Sequence, residues 1–230
     1  MKKKSLKNKI FFLFLAIVSG SFFSCSDSTP SLANCTSTVI FSYKDDSSLP
    51  DVKLSAYVET ISEVRRVDFF SVENRASKIK WVVENPYIFT DLKNNWASGI
   101  NLLTNEGETI PTGVYDVLYQ DAQGQQVSGL LNVYYPQELY EKNFLEAESF
   151  LKDLTVKNIV FYDKNDVLVS FVAFNSSWAN DDEIFSSNAS DAQKYRICYS
   201  SKEGSYIVLS KYVEKSEKIE ESQTQDSEKN

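Results

Sequence analysis

The sequence predicts a mainly β protein, an antiparallel β-sandwich carrying one amphipathic helix. Three observations predict it. β-branched and aromatic residues recur with a period of two along most of the chain. Short clusters of Asp, Asn, Ser and Gly separate these runs at hairpin spacing. A single stretch, 137–152, has a helical period instead.

The runs begin after a polar Ser/Thr/Asn segment at 26–35. Val39, Phe41 and Tyr43 alternate with Thr38, Ser42 and Lys44, so one face is apolar. Val52, Leu54, Ala56 and Val58 alternate with Lys53, Ser55 and Tyr57 in a second run. Val67, Phe69 and Ser71 form a third, and Ile79, Trp81 and Val83 a fourth. The stretch 85–99, NPYIFTDLKNNWASG, is broken by Pro86 and Gly99 and reads as a loop or edge. A short strand follows at 100–103.

Pro111-Thr112-Gly113 is a turn. Tyr115, Val117 and Tyr119 then share one face of a strand, Asp121 and Gly124 close a hairpin, and 127–134 returns. After Pro136, apolar residues fall at Tyr140, Phe144, Ala147, Leu151 and Leu154, one stripe of a helix laid on a sheet. Glu138 and Glu141 lie near its start, where the helix dipole favours acids.

A second hairpin runs from 156 to 174 around Asp163-Lys164-Asn165-Asp166. Its return strand, VLVSFVAF, is apolar on both faces and reads as central. A polar insertion at 175–194 carries one short helical turn near 188–194. A third hairpin spans 195–212 around Gly204. Asp121/Gly124 line up with Asp163/Asp166, a turn style shared by two hairpins.

Some ten strands, one helix and three hairpins assemble into a sandwich in the immunoglobulin-like style, or into a sandwich whose 137–213 part is an α+β extension. The organisation expected is a leader at 1–24, a tether at 25–37, one β-rich domain at 38–213 with a dividing point near 136, and a disordered acidic tail at 214–230.

Composition excludes several chemistries. The 230 residues contain no histidine, which removes His-based triads, dyads and imidazole metal sites. The net charge of −8 argues against nucleic acid as a partner. The acidic stretches Asp163–Asp166 and Asp181-Asp182-Glu183 do not have the ligand spacing of a Ca²⁺ loop. No catalytic constellation, metal site or cofactor motif stands out.

The N-terminus is more specific. Lys2, Lys3, Lys4, Lys7 and Lys9 precede the apolar run IFFLFLAIV at 10–18, followed by SGSFFS and Cys25. This is the plan of a secretory signal peptide, too short for a bilayer-spanning helix. Phe22-Phe23-Ser24-Cys25 resembles a bacterial lipobox, of the relaxed kind found in spirochaetal lipoproteins. The resemblance covers the first 30 residues. It implies cleavage between Ser24 and Cys25, a diacylglyceryl thioether and an N-acyl group on Cys25, and attachment to the cell envelope, at the outer membrane in preference to the inner. Several acyl chains make a stable anchor where one is marginal. Five Lys lie in 1–24, leaving 19 basic against 32 acidic groups, a mature net charge of −13.

Cys35 and Cys198 remain. In an oxidising compartment they are candidates for a disulfide closing most of the domain, with two free thiols as the alternative. Trp96 and Trp178 sit among Asn, Ser and Ala and are candidates for binding loops, with capping of the sandwich ends as the competing role. The function expected is a binding or structural module: one that recruits a protein partner through an edge strand or the Trp178 loop, or alternatively one that binds carbohydrate or a small molecule. A carboxylate-dependent hydrolase is the third alternative.

Overall fold

A computed structural model describes residues 29–61, 63–188 and 191–216. The leader, Cys25 and the tail beyond 216 lie outside the described residues.

Half-buried alternating segments need two layers to cover their apolar faces, and two sheets supply them. The chain runs through β1 (Leu32–Ser42), β2 (Asp51–Thr60), a 3₁₀ turn at Val64–Arg66, β3 (Val67–Asn74), β4 (Lys80–Val83), β5 (Tyr87–Asp91) and β6 (Asn94–Leu102). It continues through β7 (Gly113–Asp121), β8 (Gln126–Val133), a 3₁₀ turn at Gln137–Glu141 and α1 (Phe144–Leu151). Then come β9 (Thr155–Tyr162), β10 (Leu168–Ala173), α2 (Asp181–Asn188), β11 (Lys194–Ser201), β12 (Tyr206–Leu209) and β13 (Val213–Glu214).

The large sheet has the order β10-β9-β11-β12-β1-β2-β6-β5, with β13 paired to β11; the small sheet is β4-β3-β7-β8. The described ladders are antiparallel except for β1 beside β12, where Val39 meets Tyr206 and Ser42 meets Leu209 in parallel. The small sheet and α1 pack on β1 and β2, and α2 packs on β9 and β11. Val39 and Phe41 of β1, Tyr43 just past its end, and Leu54, Ala56 and Val58 of β2 are 0–1% exposed. They share a core with Tyr115, Val117 and Tyr119 of β7 and with Phe144, Ala147 and Leu151 of α1. This core joins residues on both sides of 136. A second core gathers Ile159, Phe161 and Tyr195 under Ile184 and Phe185 of α2.

The mainly β class and its two sheets are those the alternation predicts; several elements differ. β1 starts at Leu32, inside the segment expected to be tether, because Leu32 through Cys35 pair with Thr60 through Val58. The expected loop 85–99 is the β5–β6 hairpin, whose rungs run from Tyr87 with Ser98 to Asp91 with Asn94. Pro86 only precedes its first strand. The expected helix 137–152 breaks at Lys142–Asn143. Asn143 accepts from the Glu146 N–H while the Glu146 side chain takes the Asn143 N–H, a capping box that restarts the helix. A second helix at Asp181–Asn188 replaces the turn expected near 188–194, and Glu214 pairs with Lys194 at the edge of the expected tail.

The two aligned turns have one geometry. Asp121 Oδ1 accepts from the N–H groups of Gln123 and Gln125, and Gly124 sits at φ 78°. Asp163 Oδ1 accepts from those of Asn165 and Val167, and Asp166 takes the left-handed position at φ 63°.

Candidate functional site

The strand VLVSFVAF is not central. β10 ends the large sheet: Phe171 pairs with Val160, Val172 with Ile159 and Ala173 with Asn158, and the other side of β10 meets no strand of the described residues. Val172 points to the inner face and packs on the second core. Val167, Leu168, Val169 and Phe171 are 59, 59, 40 and 55% exposed. Double-sided apolarity therefore marks an open edge here, where it was expected to mark burial on both faces.

Sheet edges are ordinarily guarded by charge, proline or strong bulging. Between Asp166 and Asp181 the chain has neither a charged residue nor a proline. The only irregularity in the β9–β10 ladder is a register shift between Leu168 and Ser170. Both ends of the strand are held. At one, Asp166 receives the Lys194 ammonium at 2.7 Å. At the other, Lys157 lies 4.5 Å from the centre of the Phe174 ring and 3.3 Å from Glu148 Oε1, which also accepts from the Tyr199 hydroxyl. Burial, with the Glu148 carboxylate beside it, pushes the Tyr199 phenol above its ordinary value. The edge strand itself is uncharged, with the Asp166–Lys194 ion pair at one end and the Glu148–Lys157 pair near the other.

Trp178 follows β10 in a tight turn, its N–H donating to Asn175 O. Its ring meets Phe174 edge to face at 5.9 Å and, half-buried, packs on the second core. Trp96 lies on a strand, in the rung Glu59–Trp96–Phe89. Its indole is stacked on Phe89 at 6.4 Å and 11°, and Phe89 on Tyr87 at 6.0 Å and 25°; Tyr57 closes the row at 6.4 Å from Phe89. This aromatic row occupies the outer face at the other edge of the large sheet, with Tyr87 66% exposed.

Of the two states open to Cys35 and Cys198, a disulfide or two thiols, the structure has the thiols. Cys198 sits across from Leu209, which neighbours Ser42, seven residues along β1 from Cys35. That is roughly 23 Å of strand, against a Cα limit of about 7 Å for a disulfide. The two thiols also face opposite sides of the sheet: Cys35 packs on the main core, Cys198 with Val160 and Leu209 on the outer face.

The acidic stretches are otherwise engaged. Hydrogen bonds from Val167 and Asn165 hold the Asp163 carboxyl below the usual range, and Asp181 accepts from Tyr195 Oη at 2.8 Å. Among the described residues no group of three or more Cys, Asp and Glu converges as a metal site. Among them, too, no helix is long and apolar enough to cross a membrane. No family model matches the chain, and no curated protein matches it in sequence.

The sequence reading missed Leu168, Val169 and Phe171 as functional candidates. The signal was present in the uncharged apolar run, but composition does not say whether a strand has one neighbour or two.

Proposed function

We propose that this chain is an exported bacterial lipoprotein, held in the cell envelope by acyl chains on Cys25, whose β domain recruits a protein partner by strand addition at β10. The observation that carries this reading is the unguarded β10 edge. An incoming strand satisfies its free backbone N–H and C=O groups and covers Leu168 and Phe171. The exposed side chains of Leu168 and Phe171, with no charged residue between Asp166 and Asp181, favour a partner segment with an apolar centre. The FFSC segment supports the anchor, and the position of the first strand supports a short link between anchor and domain.

Photo-crosslinking groups placed at Val169 in the membrane-anchored chain test the edge, with Leu49, an exposed turn residue, as the control site. The expected result is one discrete adduct from position 169, lost with Phe171→Lys, and none from 49. Adducts equal at both sites, or only an adduct with a second copy of this chain, would overturn partner recruitment.

A second reading rests on the aromatic row. Parallel rings of Tyr87, Phe89 and Trp96 on an open sheet face suit stacking on the flat faces of a carbohydrate. Glycan-induced quenching that disappears with Trp96→Phe would favour it.

A further inference from the structure

The end of the domain nearest the anchor carries its own apolar contacts. Pro30 is buried and Ser31 O accepts from the Ile61 N–H at 3.0 Å, so the chain is fixed to the domain from Pro30 onward. Pro30 lies five positions after Cys25, a reach of at most about 18 Å. Whatever bears the acyl chains is therefore close to the strand ends around Ile61.

Two large apolar side chains project at those ends. Ile61, one residue past the Leu32–Thr60 rung, is 71% exposed. Leu92, at the tip of the β5–β6 hairpin, is 92% exposed. The Thr60–Asn95 rung puts both on the same end of the sheet, about two strand spacings, or roughly 10 Å, apart. Leu92 also sits at φ 56°, a left-handed position where Asn or Gly is the favourable residue. Conformation and solvation both disfavour leucine there, and a surface that buries it compensates for both.

Charge on this end suits a membrane. Arg65 and Lys93 are exposed beside Glu63 and Asp91, four charges that sum to zero, with Glu59 one rung inward, on a mature chain of net −13. The acidity that repels anionic headgroups elsewhere is cancelled at the end facing them.

From this geometry we infer that Ile61 and Leu92 insert into the bilayer surface that holds Cys25, fixing the domain upright on the membrane with the β10 edge turned to the side. The inference rests on the acylation of Cys25 proposed above. Insertion of two such side chains on a tethered domain favours the docked orientation by about tenfold or more for each.

The test uses the full acylated chain in vesicles of phosphatidylethanolamine and phosphatidylglycerol. A nitroxide is attached at Leu92→Cys and, separately, at Leu49→Cys on the opposite end. Burial raises the native thiols, Cys35 to about 11 and Cys198 to about 12, so neither competes for label near neutral pH. The inference predicts a label at 92 accessible to oxygen and shielded from a water-soluble relaxant, and the reverse at 49. Ile61→Asp should return the label at 92 to water. A label at 92 that is as wet as that at 49, on protein whose mass shows the acyl chains, overturns the insertion and leaves the anchor standing. Protein without acyl mass overturns the anchor reading, and this inference with it.

Discussion

Gly129 of β8 lies directly against Cys35 of β1. A Cβ built on Gly129 would come within 2.8 Å of the Cys35 Sγ and 3.1 Å of Leu32 Cδ1. The contact lies where β1 serves both layers: Cys35 pairs with Val58 in the large sheet, and two residues on Ser37 Oγ donates to Asn132 O of β8 in the small one. Gly129→Ala should therefore cost about 1–3 kcal/mol, as overpacking does, and Cys35→Ala in the same chain should recover part of it. Urea unfolding of the two single variants and the double variant measures the coupling.

Arg196 gives a second prediction. It is 6% exposed, and its guanidinium donates to Ser210 O, Leu209 O, Tyr43 O and Ser42 Oγ while lying 4.8 Å from the centre of the Tyr212 ring. It ties the ends of β1 and β12 to β11. Arg196→Ala takes a charged donor from each of these acceptors, Leu209 O keeping the Tyr43 N–H, and should cost roughly 2–4 kcal/mol by the same unfolding assay. Arg196→Lys, with one donor centre in place of a fork, should recover only part of it.

Alkaline pH should unfold the domain. Burial pushes the phenols of Tyr43, Tyr115, Tyr119 and Tyr162 up to about 12 from the ordinary 10. The folded state thus prefers the neutral phenol. This contribution is complete below pH 10 and is lost as pH rises from 10 towards 12. The melting temperature should fall in that window together with the rise in tyrosinate absorbance. Titration of all the tyrosines near 10 with the fold intact would contradict the burial.

Both cysteines should be thiols. After denaturation without reductant, Cys35 and Cys198 should each take up an alkylating reagent. In the native protein Cys198, 1% exposed, should be refractory. A Cys35–Cys198 crosslinked peptide would require a register other than the one that sets Cys198 beside Leu209.

Val169→Lys should leave stability within about 0.5 kcal/mol of the parent, because the residue is exposed on an edge, while abolishing strand addition. A loss of partner crosslinking without a change in melting temperature is the expected pair of results.

Strand content was legible because alternation reports one-sided burial directly: Val39, Phe41 and Tyr43, and Tyr115, Val117 and Tyr119, all face the core. Neighbour relations were not. VLVSFVAF has the composition of a central strand, and only the pairing of β9 with β11 leaves it at the edge. NPYIFTDLKNNWASG was obscured by Pro86, which lies just outside the hairpin, and by Leu92 and Lys93 at a tip where Asn-Gly is the usual signal. The stripe at 137–152 carried the right period through a break that Asn143 makes by capping. Trp96 was visible as a candidate, but its partners Tyr57, on β2, and Tyr87 and Phe89, on β5, converge on it only when β2, β5 and β6 pair.

The anchor underlies every role proposed for the domain, and the intact mass of the chain purified from its native membrane tests it directly. The expected species is a mature chain that begins at Cys25 and carries acyl mass, lost in Cys25→Ala. A chain that retains residues 1–24, or one cut elsewhere without added mass, would contradict it.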